Sequence, residues 1–296
     1  MNLVALFLLC FTLCGCTSAS QKIMVDSTEP NAAEEVMAQT NDEKEFLIGA
    51  DISEDSIVED ISEFEELTGK HDLYADEIYI TESDKAEKFI LECYASGKTP
   101  YIVLKCQDNI RKESFRESVD QMAETIGKYQ VPVFVEIFEN GYFNDAGNEY
   151  YEYAAQKLYE ANPSIKRIWS VKAEDIMIAD KYCPEKEVDY ICVNGYFDSV
   201  NKAERFFAEK EQYYTGDKPL MMRFGAVSFT SEDCKYTSDE ACGVINKIYE
   251  QAKADEDIQG IVYMDKSNRI SNKAPYSNYY ITIDKKVTEA YKNSIS

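Results

Sequence analysis

Eight short apolar runs, separated by longer segments with helical periodicity, constrain the fold more than any other feature of this sequence. Short runs rich in β-branched residues predict buried strands, and their alternation with helices is typical of parallel strands joined by crossovers. The predicted strands are residues 46–52, 77–80, 100–105, 131–138, 165–171, 188–194, 219–224 and 258–264. Helical patterns between them include residues 83–96, 113–129, 148–161 and 239–254.

Eight parallel strands favour a closed barrel over an open sheet, so the predicted fold class is α/β, a (β/α)8 TIM barrel. Residues 46–296 have the length of one such barrel, about 250 residues. No glycine-rich phosphate loop follows any predicted strand, which argues against a dinucleotide-binding fold. In a barrel of this kind the functional side chains come from the carboxyl ends of the strands.

The first sixteen residues predict an exported protein. Residues 3–13 are almost wholly apolar and shorter than the roughly 20 residues of a spanning helix, so a removable signal peptide fits better. The stretch ends in Leu13-Cys14-Gly15-Cys16, which resembles the lipobox of bacterial lipoproteins, where the last cysteine is lipidated. We expect residues 1–16 to be the signal, residues 17–45 an acidic flexible tether, and the protein to be extracytoplasmic and anchored to the cell membrane through Cys16. The alternative is a buried N-terminal strand or helix of a cytosolic protein.

Charge and cysteine spacing narrow the classes of partner. The formal net charge is −24 and no basic cluster occurs, which argues against nucleic acid and anionic lipid headgroups as partners and favours a neutral or cationic ligand.

None of the six cysteines after Cys16 has zinc-site spacing, so we expect no metal and no cofactor. Cys234 and Cys242 could close a short disulfide. We expect a monomer, and a surface position without a role for His71, the only histidine.

Polar and aromatic residues gather at the predicted strand ends. Aromatic rings beside carboxylates suit sugars, because a pyranose offers apolar C–H faces for stacking and a rim of hydroxyl groups. Trp169 is the only tryptophan and either stacks on a sugar or anchors the core. The candidate substrate-binding residues are Asp51, Asn140, Tyr142, Trp169, Asn194, Tyr196 and Asp265.

Several tracts resemble, in order, landmarks of glycoside hydrolase family 26, the β-mannanases. The tracts are residues 131–141 (VPVFVEIFENG), 168–171 (IWSV), 180–184 (DKYCP), 188–197 (VDYICVNGYF), 218–222 (KPLMM) and 260–265 (GIVYMD). The resemblance covers nearly the whole body of the chain. It implies a (β/α)8 barrel that acts on a β-1,4-linked polysaccharide, or binds one.

The resemblance also implies where the two catalytic carboxylates belong. The family's acid/base glutamate follows strand four, a position matched by Glu139, although Phe138 stands where the family has histidine. The nucleophilic glutamate of the family ends strand seven, where this sequence has Arg223 or Phe224. Arginine cannot be that nucleophile, and its guanidinium would pair with Glu139 and hold it ionised.

Two functions from different classes therefore remain open. The first is a non-catalytic, membrane-tethered sugar-binding barrel that has lost the nucleophile. The second is a working retaining or inverting glycoside hydrolase, with Glu139 as acid/base and Asp51, Glu136 or Asp265 as the other carboxylate. A structural partner for another wall protein is a third reading, for which the sequence offers no specific feature.

Overall fold

The computed structural model describes residues 46–106, 112–139, 145–269 and 275–296. Eight parallel strands close into a barrel, each paired with its neighbours in the order β1-β8-β7-β6-β5-β4-β3-β2. The (β/α)8 prediction is confirmed. The strands are β1 Leu47–Asp51, β2 Leu73–Tyr79, β3 Thr99–Lys105, β4 Phe134–Ile137, β5 Lys166–Lys172, β6 Tyr190–Phe197, β7 Leu220–Ala226 and β8 Ile258–Met264.

A helix follows each strand and covers the outside of the barrel. The helices are α1 Ile61–Thr68, α2 Ser83–Ala95, α3 Lys112–Gly127, α4 Asp145–Ala161, α5 Ala179–Tyr182, α6 Val200–Tyr213, α7 Ser238–Ala254 and α8 Lys285–Ile295. A 3₁₀ helix, Ala173–Ile178, precedes α5, and the two-residue strands Phe229–Thr230, Lys235–Tyr236 and Ser277–Asn278 form a small antiparallel sheet. None of the helices in these described ranges is long and apolar enough to cross a bilayer.

Local sequence signals set several helix starts. The Asp60 carboxylate accepts a hydrogen bond from Glu63 N at 3.0 Å at the start of α1, and Asp284 accepts one from Lys286 N at 2.8 Å at the start of α8. These aspartates satisfy backbone donors that the first helical turn leaves without an intrahelical partner. The predicted signal peptide and the predicted tether lie outside the described residues, as do Cys16, Asn140 and Tyr142.

The apolar side chains of the strands form two layers, because successive side chains along a strand point to opposite faces of the sheet. One set fills the lower lumen, so the barrel is packed and not an open pore; it comprises Leu73, Ala75, Tyr101, Val103, Phe134, Ile168, Cys192, Met221 and Val262. The other set packs against the helices in a larger core that includes Val135, Trp169 and Phe224. Above the lumen core, toward the carboxyl ends of the strands, the inward positions become polar.

The largest departure from the predicted boundaries is β2. It spans Leu73–Tyr79, whereas the sequence pattern predicted residues 77–80. Asp76 and Glu77 interrupt the apolar run, so the pattern captured only the end of the strand. This difference moves Glu77 from the start of the predicted strand to a position near the observed carboxyl end, where functional residues of such barrels lie.

The structure also decides one possibility that the sequence left open, and it corrects one expectation. Cys234 and Cys242 form no disulfide: both are free thiols, Cys234 is exposed, and Cys242 is buried with its Sγ 3.6 Å from the carbonyl oxygen of Lys286. His71 is not on the surface but only 3% exposed. Its Nε2 lies 2.7 Å from the hydroxyl of Tyr291, in an aromatic layer under the barrel.

Candidate functional site

Seven charged side chains meet at the carboxyl ends of the barrel strands, and we call them the mouth cluster. Four are carboxylates and three are cations, so opposite charges nearly balance. They come from β1, β2, β3, β4 and β7 and from the residues that directly follow β4 and β8. The members are Asp51, Glu77, Lys105, Glu136, Glu139, Arg223 and Lys266.

Arg223 is the centre of this cluster and is fully buried. It lies on β7 two residues after Met221, so its side chain enters the lumen directly above the apolar core. Its Nη1 is 2.9 Å from Glu136 Oε2 and 3.5 Å from Glu139 Oε1. Its Nη2 is 3.2 Å from Glu77 Oε1 and 3.9 Å from Asp51 Oδ2. One guanidinium therefore contacts all four carboxylates.

The two lysines close a ring of ion pairs around the mouth. Lys105 Nζ is 3.2 Å from Glu77 Oε2 and also pairs with Glu139. Lys266 Nζ is 3.3 Å from Asp51 Oδ2 and also pairs with Glu77. The ring runs Asp51, Lys266, Glu77, Lys105, Glu139, Arg223 and back to Asp51, and it links both sides of the barrel opening.

Glu136 lies inside this ring and is fully buried. The hydroxyl of Tyr101 donates to its Oε2 at 3.0 Å, and Asn194 Nδ2 donates to its Oε1 at 2.8 Å. Burial by itself raises the pKa of Glu136, but the Arg223 charge and the hydrogen bonds from Asn194 and Ser170 outweigh burial and lower it. Glu136 is therefore held as a carboxylate and has no proton to give.

The pKa values of Glu77 and Lys105, at the rim of the cluster, are set by the same two effects, burial and neighbouring charges. Burial raises the pKa of Glu77, but the charges of Lys266, Arg223 and Lys105 outweigh it and bring that pKa to about 2. Burial lowers the pKa of Lys105, but Glu139 and Glu77 outweigh it, so that the ammonium stays protonated. Glu77 and Lys105 are thus both charged at neutral pH.

An unusual backbone conformation turns Glu139 toward Arg223. By strand alternation Glu136 points into the lumen, so Phe138 would point inward and Glu139 outward. Phe138 has a positive φ of 58°, which is rare for a bulky residue and breaks the alternation. Its ring instead packs outside the barrel against Phe115, with centroids 5.6 Å apart. The Glu139 carboxylate can then reach the mouth cluster, and such local strain is often found at functional sites.

An exposed aromatic ring lies beside the cluster. Tyr196, near the end of β6, is 45% exposed. It stacks on the buried ring of Tyr279, with centroids 4.4 Å apart and planes at 26°. This packing fixes one face of Tyr196 and leaves a preorganised ring next to the charged rim, the combination that a sugar can use for stacking and hydrogen bonding.

The structure brings together only some of the residues proposed from sequence. Asp51, Glu139 and Arg223 meet in the mouth cluster, Asn194 supports Glu136, and Tyr196 lies at the rim. Trp169 is only 1% exposed and packs between β5 and the helices, so the sugar-stacking reading is corrected in favour of the core anchor. Asp265 is also fully buried and accepts a hydrogen bond from Ile281 N at 2.6 Å, away from the ring.

Three members of the cluster were missed as site residues. Glu77 was missed because strand β2 was placed too late. Lys105 and Lys266 stand at or just after a strand end, a position that could have identified them, but an isolated lysine there carries no specific motif. Across the described residues, no group of three or more histidine, cysteine, aspartate or glutamate side chains is arranged to hold a metal ion.

No family model and no curated protein sequence matches this chain. Solved structures do: a GH113 beta-1,4-mannanase has a TM-score of 0.62 at 14% identity, over 84% of this chain and 99% of that one. A Ruminococcus gnavus β-glucuronidase in complex with uronic deoxynojirimycin has a TM-score of 0.63 at 11% identity, over 85% of this chain but 50% of that one. A modular endo-beta-1,4-mannanase of glycoside hydrolase family 26 from Cellulomonas fimi has a TM-score of 0.60 at 11% identity, over 85% and 70%. These similarities show that the chain shares the (β/α)8 barrel fold with these enzymes.

Proposed function

We propose that this protein is a glycan-binding barrel that does not hydrolyse its ligand, and that a lipid on Cys16 anchors it outside the cytoplasm. The single observation that carries the proposal is the Arg223 guanidinium of β7, buried in the barrel lumen between Glu136 and Glu139. In the family 26 resemblance this is the region of the nucleophile.

The chemistry of glycoside cleavage explains why a buried arginine at this position argues against hydrolysis. A retaining glycosidase needs two carboxyl groups about 5 to 5.5 Å apart, one protonated to assist the leaving oxygen and one free to attack the sugar. Here Glu136 and Glu139 contact the same Nη1 atom, so the guanidinium fills the space between them. Glu136 is ionised and saturated by four partners, and it can neither donate a proton nor approach an anomeric carbon.

The same groups can still bind a sugar. Lys105, Glu77 and Glu139 are partly exposed and alternate donor and acceptor along the rim, which suits a row of hydroxyl groups. Tyr196 adds a ring face for the apolar side of a pyranose. Because the cluster has no unpaired cation and the whole chain is strongly acidic, a neutral polysaccharide such as a β-1,4-mannan is the preferred ligand.

A second candidate is a working hydrolase with Glu139 as acid/base. One observation favours it: the oxygens of Glu136 and Glu139 that contact Arg223 are at most about 6.4 Å apart, a range that includes the separation used by retaining enzymes. This candidate requires Arg223 to leave the space between them when the substrate binds.

Binding without cleavage is the expected result for the purified protein. Incubated with β-1,4-mannan and manno-oligosaccharides, it should bind them in calorimetry and release no reducing ends over background. Steady release of reducing ends that disappears in Glu139→Gln would establish the hydrolase candidate instead. Absence of both binding and release would remove the glycan-binding proposal itself.

The Tyr196→Ala variant assigns the binding to the barrel mouth. Loss of the stacking ring should weaken glycan binding by roughly tenfold, the upper part of the range for an aromatic contact. Tyr94→Ala is the matched control, since Tyr94 is 60% exposed but lies on α2. Equal affinities of the two variants would place the binding surface elsewhere.

The anchor has its own test. Wild-type protein expressed with its native N-terminus should sediment with membranes and be released by detergent. Cys16→Ser removes the atom that would be acylated and should shift the protein to the soluble fraction. A Cys16→Ser protein that still sediments would contradict lipidation at this residue.

A further inference from the structure

A pair of acidic residues outside the mouth cluster, Asp55 and Asp265, forms no ion pair with any cation of the described residues. Asp265, directly after β8, is fully buried. Its Oδ1 accepts a hydrogen bond from Ile281 N at 2.6 Å, but no donor among the described residues reaches its Oδ2. The neighbouring Lys266 turns away, toward Asp51 and Glu77. A buried carboxylate oxygen without a donor is too unfavourable to persist in the ionised form.

The carboxylate of Asp55 supplies the missing partner if a proton lies between the two groups. Asp55 is within hydrogen-bonding reach of Asp265, and its own oxygens accept from Ile57 N and Thr282 Oγ1, both at 2.7 Å. Both acids are thus acceptors already, and only a protonated carboxyl can join them. Burial raises the pKa of Asp265 well above its ordinary range, and Asp55 raises it further.

This contact joins two segments that flank the barrel mouth. The loop after β1, residues 52–60, carries Asp55, and it also carries Ser53, whose Oγ donates to Asp51 of the mouth cluster at 2.7 Å. The segment before α8 holds the same loop through the Tyr280 hydroxyl, which donates to the carbonyl oxygen of Glu54 at 3.2 Å, and through Thr282.

We propose that Asp55 and Asp265 share one proton, and that this proton latches the loop after β1 onto the segment before α8 beside the mouth cluster. Loss of the proton places two adjacent carboxylates against each other and releases the loop. Within the described part of the chain, the titratable groups that interact with Asp265 include Asp51, Asp55, Tyr263 and Tyr280, and none of these four is a cation. The latch is independent of whether the barrel binds a sugar.

The sign of the pH dependence follows from the proton count. In the folded protein Asp265 keeps its proton at pH values where an unfolded aspartate, with a pKa of about 3.9, has lost it. The folded state then binds one more proton, so stability is complete below that pKa and falls as the pH rises toward the raised pKa of Asp265. One proton corresponds to a tenfold rise in the unfolding constant per pH unit.

Urea unfolding of wild type and Asp265→Asn between pH 4 and 9 tests the latch. The asparagine amide donates to Asp55 at every pH, so the wild-type unfolding constant should rise relative to the variant by up to tenfold per pH unit. Hydrogen-exchange protection of residues 52–60 should fall with pH in wild type and stay level in the variant. The exposed Asp233→Asn is the control and should follow wild type.

Three outcomes decide against the latch. Wild-type and Asp265→Asn curves that run parallel across this pH range overturn it. So does stabilisation by millimolar calcium at high pH in wild type but not in Asp265→Asn, which would identify a cation site instead of a shared proton. If Asp265→Asn does not fold, Asp55→Asn replaces it: its amide donates to an Asp265 carboxylate, so the same loss of pH dependence is expected, and an unchanged dependence contradicts the proposal.

Discussion

Arg223→Met is expected to destabilise the protein by about 3–5 kcal/mol, the usual effect of removing one partner from a buried ion pair. Methionine fills much of the space of the arginine stem, so the variant tests charge more than packing. It leaves Glu136 fully buried with hydrogen bonds but no cation, and it removes the three contacts of Arg223 with Glu77, Glu139 and Asp51. Urea unfolding at pH 7 measures the change.

The matched control for this variant is Arg205→Met. Arg205 pairs with Glu209 on the surface of α6 at 2.7 Å, and its side chain is 76% exposed. Its replacement should leave the free energy of unfolding nearly unchanged. The double variant Arg223→Met/Glu136→Gln should be more stable than Arg223→Met alone, because it also removes the uncompensated charge. Equal stability of Arg223→Met and wild type would mean that the guanidinium does not sustain the cluster.

Wild type should lose about 3 kcal/mol of stability between pH 6.5 and pH 4 through His71 alone. Burial lowers the pKa of His71 from 6.5 to about 4, although Glu65 acts in the opposite direction. The unfolded chain therefore binds a proton in a range where the folded chain does not. The stabilising difference is complete above pH 6.5 and is lost as the pH falls toward the folded pKa.

His71→Gln isolates this effect, because the chain has no other histidine. Glutamine keeps a polar group that can reach the Tyr291 hydroxyl but does not titrate. The stability difference between wild type and variant should therefore narrow as the pH is lowered through this range. Taking the difference also cancels carboxylates that titrate in both proteins, including Asp265. A difference that stays constant from pH 7 to 4 would show that His71 titrates normally when folded.

The barrel was predictable from sequence because its strands are defined by buried apolar runs. The run 258–264 carries no internal charge, and its predicted bounds match β8 as observed. The prediction of strand β2 failed for the opposite reason. This strand contains charged residues of the site, and Glu77 interrupts the apolar pattern that would have located it. Hydrophobic periodicity is thus less informative where two adjacent charged residues, such as Asp76 and Glu77, lie within a strand.

The arrangement within the site depends on contacts that a sequence does not contain. Position 223 and the loss of a nucleophile could be proposed from a family resemblance, but the pairing of Arg223 with Glu136 as well as Glu139 could not. The position of Trp169 could not be predicted for a similar reason. A shift of one residue along a strand moves a side chain from the barrel lumen to the layer between strands and helices, and the sequence does not fix this register. The positive φ of Phe138, which brings Glu139 inward, has no sequence signature such as glycine.

Four carboxylates share the Arg223 guanidinium, and this also restricts which substitutions the barrel can accept during evolution. A glutamate at position 223 would supply a potential nucleophile, yet the same substitution would leave five acids facing two lysines in a buried opening. A route to a catalytic site would need a compensating change at Glu136 or Asp51 first, and that step alone offers no gain in catalysis. The ion-pair ring therefore acts as a mutational barrier between this barrel and one that carries a catalytic carboxylate at position 223.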